Sequence, residues 1–130
     1  MTQSLLRVSL LVGDYDEAIS YYVEALGFDL LEDTPIPRQG KRWVVVRPPG
    51  SSGCTLVLAV PSNDAQRAAL GQQCGDRVFL FLATDNFDRD YARYRSVGVE
   101  FLETPRSEPY GKVAVFRDRY GNRWDLIEQQ

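Results

Sequence analysis

Two stretches of the chain repeat one another. VSLLVGDYDEAISYYVEALGFDLLE, beginning at Val8, has the layout of VFLFLATDNFDRDYARYRSVGVEFLE, beginning at Val78. Each copy starts as an apolar strand, passes a polar turn, runs through a helix with an aromatic stripe, and leaves through glycine into a second strand. The tails repeat more weakly: CTLVLAV from Cys54 corresponds to RWDLIEQ from Arg123, and each follows a turn, Pro48-Pro49-Gly50 in one and Asp118 to Asn122 in the other. A chain that carries the same sequence of elements twice must build two copies of one supersecondary plan.

Local signals fix the elements. Asp14 and Glu17 stand at capping-box spacing, which predicts that the first helix starts there. Tyr15, Ala18, Ile19, Tyr22 and Leu26 then share one helical face, and Gly27 stops it. In the second copy Asp85 or Asn86 caps, Phe87, Tyr91 and Tyr94 form the stripe, and Gly98 ends the helix. Lys41 to Arg47, Cys54 to Val60, Lys112 to Arg117 and Arg123 to Glu128 are β-rich runs between Pro, Gly and Asn turns. Each half therefore reads β-α-β-β-β, with modules at about 1–61 and 76–130. A linker at 62–75 joins them and contains a short helical stretch, Asp64 to Leu70.

At 130 residues, 44% hydrophobic and 25% charged, the chain is sized for one α+β domain with a real core. Two cysteines, Cys54 and Cys74, are too few for a disulfide framework and read as reduced thiols of a cytoplasmic protein. No apolar run approaches the roughly 20 residues of a membrane helix, and no secretion signal opens the chain. With a net charge of -3 and scattered basic residues, nucleic acid is not an expected partner. The chain contains no histidine. Since histidine is the commonest ligand of catalytic transition metals and the commonest general base, His-based metal sites and Ser/His or Cys/His nucleophile pairs are excluded.

RVSLLVGDYDEAISYYVEALGF at the start, the Pro109-Tyr110-Gly111 turn, and FRDRYGNRWDLIE at the end resemble the vicinal oxygen chelate superfamily, also called the glyoxalase/bleomycin resistance protein/dioxygenase family. The resemblance implies two βαβββ modules whose mixed sheet curves around a cleft, helices outside. Metal-using members place ligands on the first and last strand of each module. Matched by strand and turn landmarks, those positions are Arg7, Thr55, Phe79 and Asp125. Only Asp125 is a good metal ligand, so the resemblance implies a member with no metal and no other cofactor.

Strand alternation sends Arg7, Ser9 and Leu11 to the cleft face, with Thr55, Val57 and Ala59, Phe79, Phe81 and Ala83, and Asp125 and Ile127. Arg7, Ser9, Thr55, Val57, Phe79, Phe81 and Asp125 are the expected ligand-binding set for a small organic molecule. Arg7 and Asp125 are expected to meet there. Two readings of that pair stay open: a structural ion pair in place of the metal, or an anion anchor oriented by Asp125. Trp43, Trp124 and Tyr110 are weaker candidates, and Glu24, Asp29, Glu32 and Asp33 read as a solvated surface. The leading expectation is ligand binding without chemistry, as in bleomycin-resistance-type members. The alternatives are a metal-independent lyase or isomerase with Asp125 or Glu128 as general base and Arg7 stabilising negative charge, and a structural dimer with a filled cleft. The resemblance also implies a homodimer.

Overall fold

In the computed structural model, which describes residues 1–130, the chain divides into two compact units, Met1–Leu70 and Gly71–Gln130. The first contains β1 (Arg7–Leu11), α1 (Tyr15–Ile19), β2 (Asp29–Ile36), β3 (Lys41–Arg47), β4 (Thr55–Ala59) and α2 (Asp64–Ala69). The second contains β5 (Val78–Ala83), α3 (Phe87–Ser96), β6 (Glu100–Phe101), β7 (Arg106–Glu108), β8 (Gly111–Arg117) and β9 (Arg123–Gln129). The fold is α+β. No helix is long and apolar enough to cross a membrane.

In unit 1 the strand order is β1-β4-β3-β2, with β1 parallel to β4 and the other pairs antiparallel. A helix between β1 and β2 carries the chain from one sheet edge to the other, the kind of crossover that leaves β1 parallel to its neighbour. Asp14 caps α1 as expected, its Oδ2 accepting from Glu17 N at 2.9 Å. The regular α-helix is short: from Ser20 to Ala25 the coil widens into a π-helical turn, and Leu26 N donates to Tyr21 O at 3.0 Å. The expected stripe still reaches the core, with Ala18 and Tyr22 fully buried and Leu26 nearly so. Leu10, Val44, Val46 and Leu58 of the sheet are buried as well, each large apolar side chain contributing about 1.5–3 kcal/mol.

Unit 2 repeats this order as β5-β9-β8-β6. Asn86, rather than Asp85, caps α3, accepting from Arg89 N at 3.0 Å. Phe87 and Tyr94 are buried, and Tyr94, Phe101 and Trp124 surround Phe116 with ring centroids 5.7 Å away, pairings that add about 0.5–1.5 kcal/mol each. The second copy's middle strand departs from expectation: β6 has two residues, and the chain returns to β8 as β7. Pro105 has no N–H to give the ladder, and Val115 N of β8 donates to the Glu103 carboxylate at 3.3 Å instead of to a strand carbonyl.

Candidate functional site

Alternation along β1 is visible in burial: Leu10 is sealed under α1 while Arg7 and Ser9 are exposed. On that open face of unit 1, Arg7 stacks over the Trp43 ring at 5.7 Å and its Nη2 lies 3.8 Å from Glu32 Oε2. Trp43 Nε1 donates to the same oxygen at 3.1 Å. Within unit 1 the ionic partner of Arg7 is therefore Glu32 of β2, a pair the sequence analysis did not anticipate. Glu32 lies three strands over on the same sheet, and the two long side chains reach toward each other across β4 and β3. Glu32 and Asp33 also leave the solvated set: Asp33 forms a two-point pair with Arg42, at 3.1 and 2.7 Å, which holds its carboxyl below the usual range. Thr55 is buried, and its hydroxyl donates to Leu6 O at 3.2 Å.

The two units carry internal equivalences that can be read from register. Val12 N donates to Ala59 O, and Thr84 N donates to Ile127 O. Counting back from these bonds makes Arg7 equivalent to Phe79, Ser9 to Phe81, and Val57 to Asp125; Ser9 faces Val57 as Phe81 faces Asp125. Thr55 corresponds to Arg123. The pairing of Thr55 with Asp125 as like positions is thus off by two residues, because a two-residue slip preserves which face a side chain points to. Phe79 sits at a bulge between Val78 and Leu80.

The open face of unit 2 carries Phe81, Asp125 and Tyr110 of the sequence candidates together with Arg106, Glu103 and Glu108, which sequence analysis did not single out. Phe81 is 68% exposed. Across the ladder Asp125 is 8% exposed, and its Oδ1 has no hydrogen-bond partner. Burial pushes the Asp125 carboxyl upward, Arg106 opposes that shift and Glu103 adds to it. Arg106 Nε donates to both Glu103 oxygens at 3.1 and 3.0 Å, and Nη1 donates to Glu108 at 2.9 Å and to the Tyr110 hydroxyl at 3.1 Å. Arg106 is thereby held protonated. The only sequence signal was the alternation Arg106, Glu108, Tyr110 around the turn before β8.

Glu128 is a helix anchor. Its Oε1 accepts from Phe87 N at 2.7 Å, at the first residue of α3, where the unpaired amides favour a carboxylate. That contact engages one of its two carboxylate oxygens and ties it to the start of α3. Trp124 is core, 2% exposed, with Nε1 donating to Asp118 at 2.9 Å.

A metal does not fit the positions that the resemblance assigns to its ligands, even with Val57 in place of Thr55 as the register counterpart of Asp125. Arg7 is a cation, Phe79 and Val57 have no donor atom, and no group of three or more acidic, Cys or His side chains converges to hold an ion. Asp125 alone does not compete with water.

The family model for the Glyoxalase/Bleomycin resistance protein/Dioxygenase superfamily matches residues 4–126. An uncharacterized protein of Shewanella frigidimarina is 54% identical over 128 residues, covering 98% of this chain and 95% of its own. Among solved structures, UcmS2 superimposes with a TM-score of 0.85 at 31% identity, over 99% of this chain and 100% of its own. TnmS3, an antibiotic binding protein from Streptomyces sp. CB03234, gives 0.78 at 32% identity, over 99% and 98%. A match across nearly the whole chain, on a fold built twice from βαβββ, places this protein in the glyoxalase/bleomycin resistance protein/dioxygenase superfamily.

Proposed function

We propose that the chain binds a small organic molecule, without a transition metal, on the open sheet faces that carry Phe81 and Trp43. The observation that carries this reading is the exchange at the ligand positions: metal donors are replaced by Arg7, Val57 and Phe79, and the exposed Phe81 ring stands beside the buried Asp125 carboxylate. An exposed ring offers a flat ligand contact area, and an acceptor lacking a donor gains from a ligand N–H or O–H. The likeness to an antibiotic binding protein supports an antibiotic as the ligand, and the exposed Phe81 ring favours a flat one. The protein acts as a cytoplasmic homodimer on this reading.

The test is titration with a panel of polycyclic antibiotics, followed by Trp fluorescence and calorimetry. Saturable binding is expected for at least one, lost in Phe81→Ala. Absence of binding across the panel overturns the reading, as does one equivalent of zinc, iron, nickel or manganese by elemental analysis. Light scattering giving the monomer mass at all concentrations overturns the dimer. A second reading, proton abstraction by Asp125, draws on the upward displacement of its carboxyl. Turnover of a bound carbonyl compound, abolished in Asp125→Asn, separates it from binding alone.

A further inference from the structure

The open face of unit 1 carries a guanidinium with no counter-ion. Arg47 ends β3, and its Nε is buried without a hydrogen-bond partner. It forms none of the ion pairs that engage Arg7, Arg42 and Arg67 in the unit, such as Arg42 with Asp33 and Asp16 at 2.7 and 2.8 Å. Asp29, its register partner on β2, is exposed and does not neutralise it. A half-buried, unpaired guanidinium is costly unless something else supplies the negative charge.

Register brings a second guanidinium to the same row. Arg7 is opposite Thr55. Val46 is opposite Leu56 on the other side of β4, which sets the next residue, Arg47, against Thr55 on the face Arg7 shares. With strands about 4.8 Å apart, the two arginine backbones flank Thr55 at about 10 Å, a span two side chains of this length close easily. Arg7 is free to turn: its bridge to Glu32 is long, at 3.8 Å, between side chains 35% and 46% exposed. Such a pair contributes about 0–1 kcal/mol, less than a charge-assisted, two-point bond to an oxyanion.

We infer that Arg47 and Arg7 form an oxyanion site on unit 1, which takes a carboxylate or phosphate group. The inference rests on the ligand-binding reading and names one chemical group of that ligand. It assigns a role to Arg47, whose position at a strand end gave no signal of its own.

The probes are anthracene carboxylate and aminoacridine, tricyclic rings of opposite charge, and inorganic phosphate alone. Arg47→Met and Arg7→Met are each expected to weaken anthracene carboxylate about tenfold or more and to leave aminoacridine unchanged. Arg47→Lys restores part of the loss, since the charge returns without the fork. Arg47→Met removes an unpaired charge, so its denaturation midpoint should not fall. Displacement of the carboxylate by phosphate assigns the site to free oxyanions; failure of phosphate to displace assigns it to an oxyanion carried on an aromatic ligand. Undiminished anthracene carboxylate affinity in folded Arg47→Met overturns the inference. Binding of aminoacridine but not the carboxylate by the unaltered protein also overturns it and leaves the ligand-binding reading in place, whereas binding of neither ring counts against both.

Discussion

Asp118 organises the turn that leads into β9, and its replacement should be among the most damaging single changes in the chain. The residue is 4% exposed. Its Oδ1 accepts from the backbone nitrogens of Tyr120, Gly121 and Asn122, each at 3.0 Å. Its Oδ2 accepts from Asn122 Nδ2 at 3.1 Å and from Trp124 Nε1 at 2.9 Å. A hydrogen bond to a charged group contributes about 1.5–3 kcal/mol, and a buried donor left unpaired costs about 1–3 kcal/mol. The five bonds do not add, since three amides share one oxygen and a loosened turn lets water in. The two buried side-chain donors alone put Asp118→Ala at about 4 kcal/mol, a large part of a total stability of about 5–15 kcal/mol.

Asp118→Asn is a sharper probe. The amide keeps one acceptor, best turned toward the three backbone nitrogens, and its NH2 then faces two other donors, for a cost of about 2 kcal/mol. Trp124→Phe removes one of those donors. In the unaltered protein this deletes a good bond; in Asp118→Asn it relieves a conflict. The two changes should therefore couple by about 1 kcal/mol or more. Urea denaturation of the four proteins, at constant slope, gives the cycle. Additivity within about 0.5 kcal/mol would refute the account of Asp118 as the acceptor that holds the turn.

Gly71 and Gly40 have similar positive φ, 75° and 62°, but a Cβ at Gly71 meets the Tyr120 carbonyl oxygen whereas one at Gly40 meets nothing. Gly40→Ala should cost about 1 kcal/mol and Gly71→Ala at least about 3 kcal/mol, compared by thermal unfolding. Glu128→Ala should lose about 1–2 kcal/mol of stability by denaturant titration while leaving ligand affinity unchanged, the result expected of a helix anchor and not of a base. Burial raises the Asp125 carboxyl in the folded state, so folding takes up protons as pH falls from neutral toward about 4. Asp125→Asn should accordingly match or exceed the unaltered protein in stability at neutral pH, and lose that advantage as the pH is lowered; a constant difference across a pH series of melts contradicts the assignment.

The elements were legible because their signals are local. Asp14, Gly27, Asn86 and Gly98 act within a turn of their own positions, and the repeat of Val8 to Glu32 in Val78 to Glu103 displays the supersecondary plan in the linear order of residues. Alternation likewise told which side chains share a face, Arg7 with Ser9 and Phe81 with Asp125. It could not tell which residues stand in the same row, because a period of two is blind to a slip of two; hence Thr55 and Val57 fit equally well as the counterpart of Asp125 until register selects Val57. Partners distant in sequence were equally out of reach. Glu128 meets Phe87 N across 41 residues, Glu32 draws Arg7 over β4 and β3, and Arg47 is left with a sealed, unpaired Nε. Each of these outcomes depends on the distances and burial that strand pairing creates, and a charge on a linear chain carries no record of which opposite charge the folded sheet will bring within 4 Å of it.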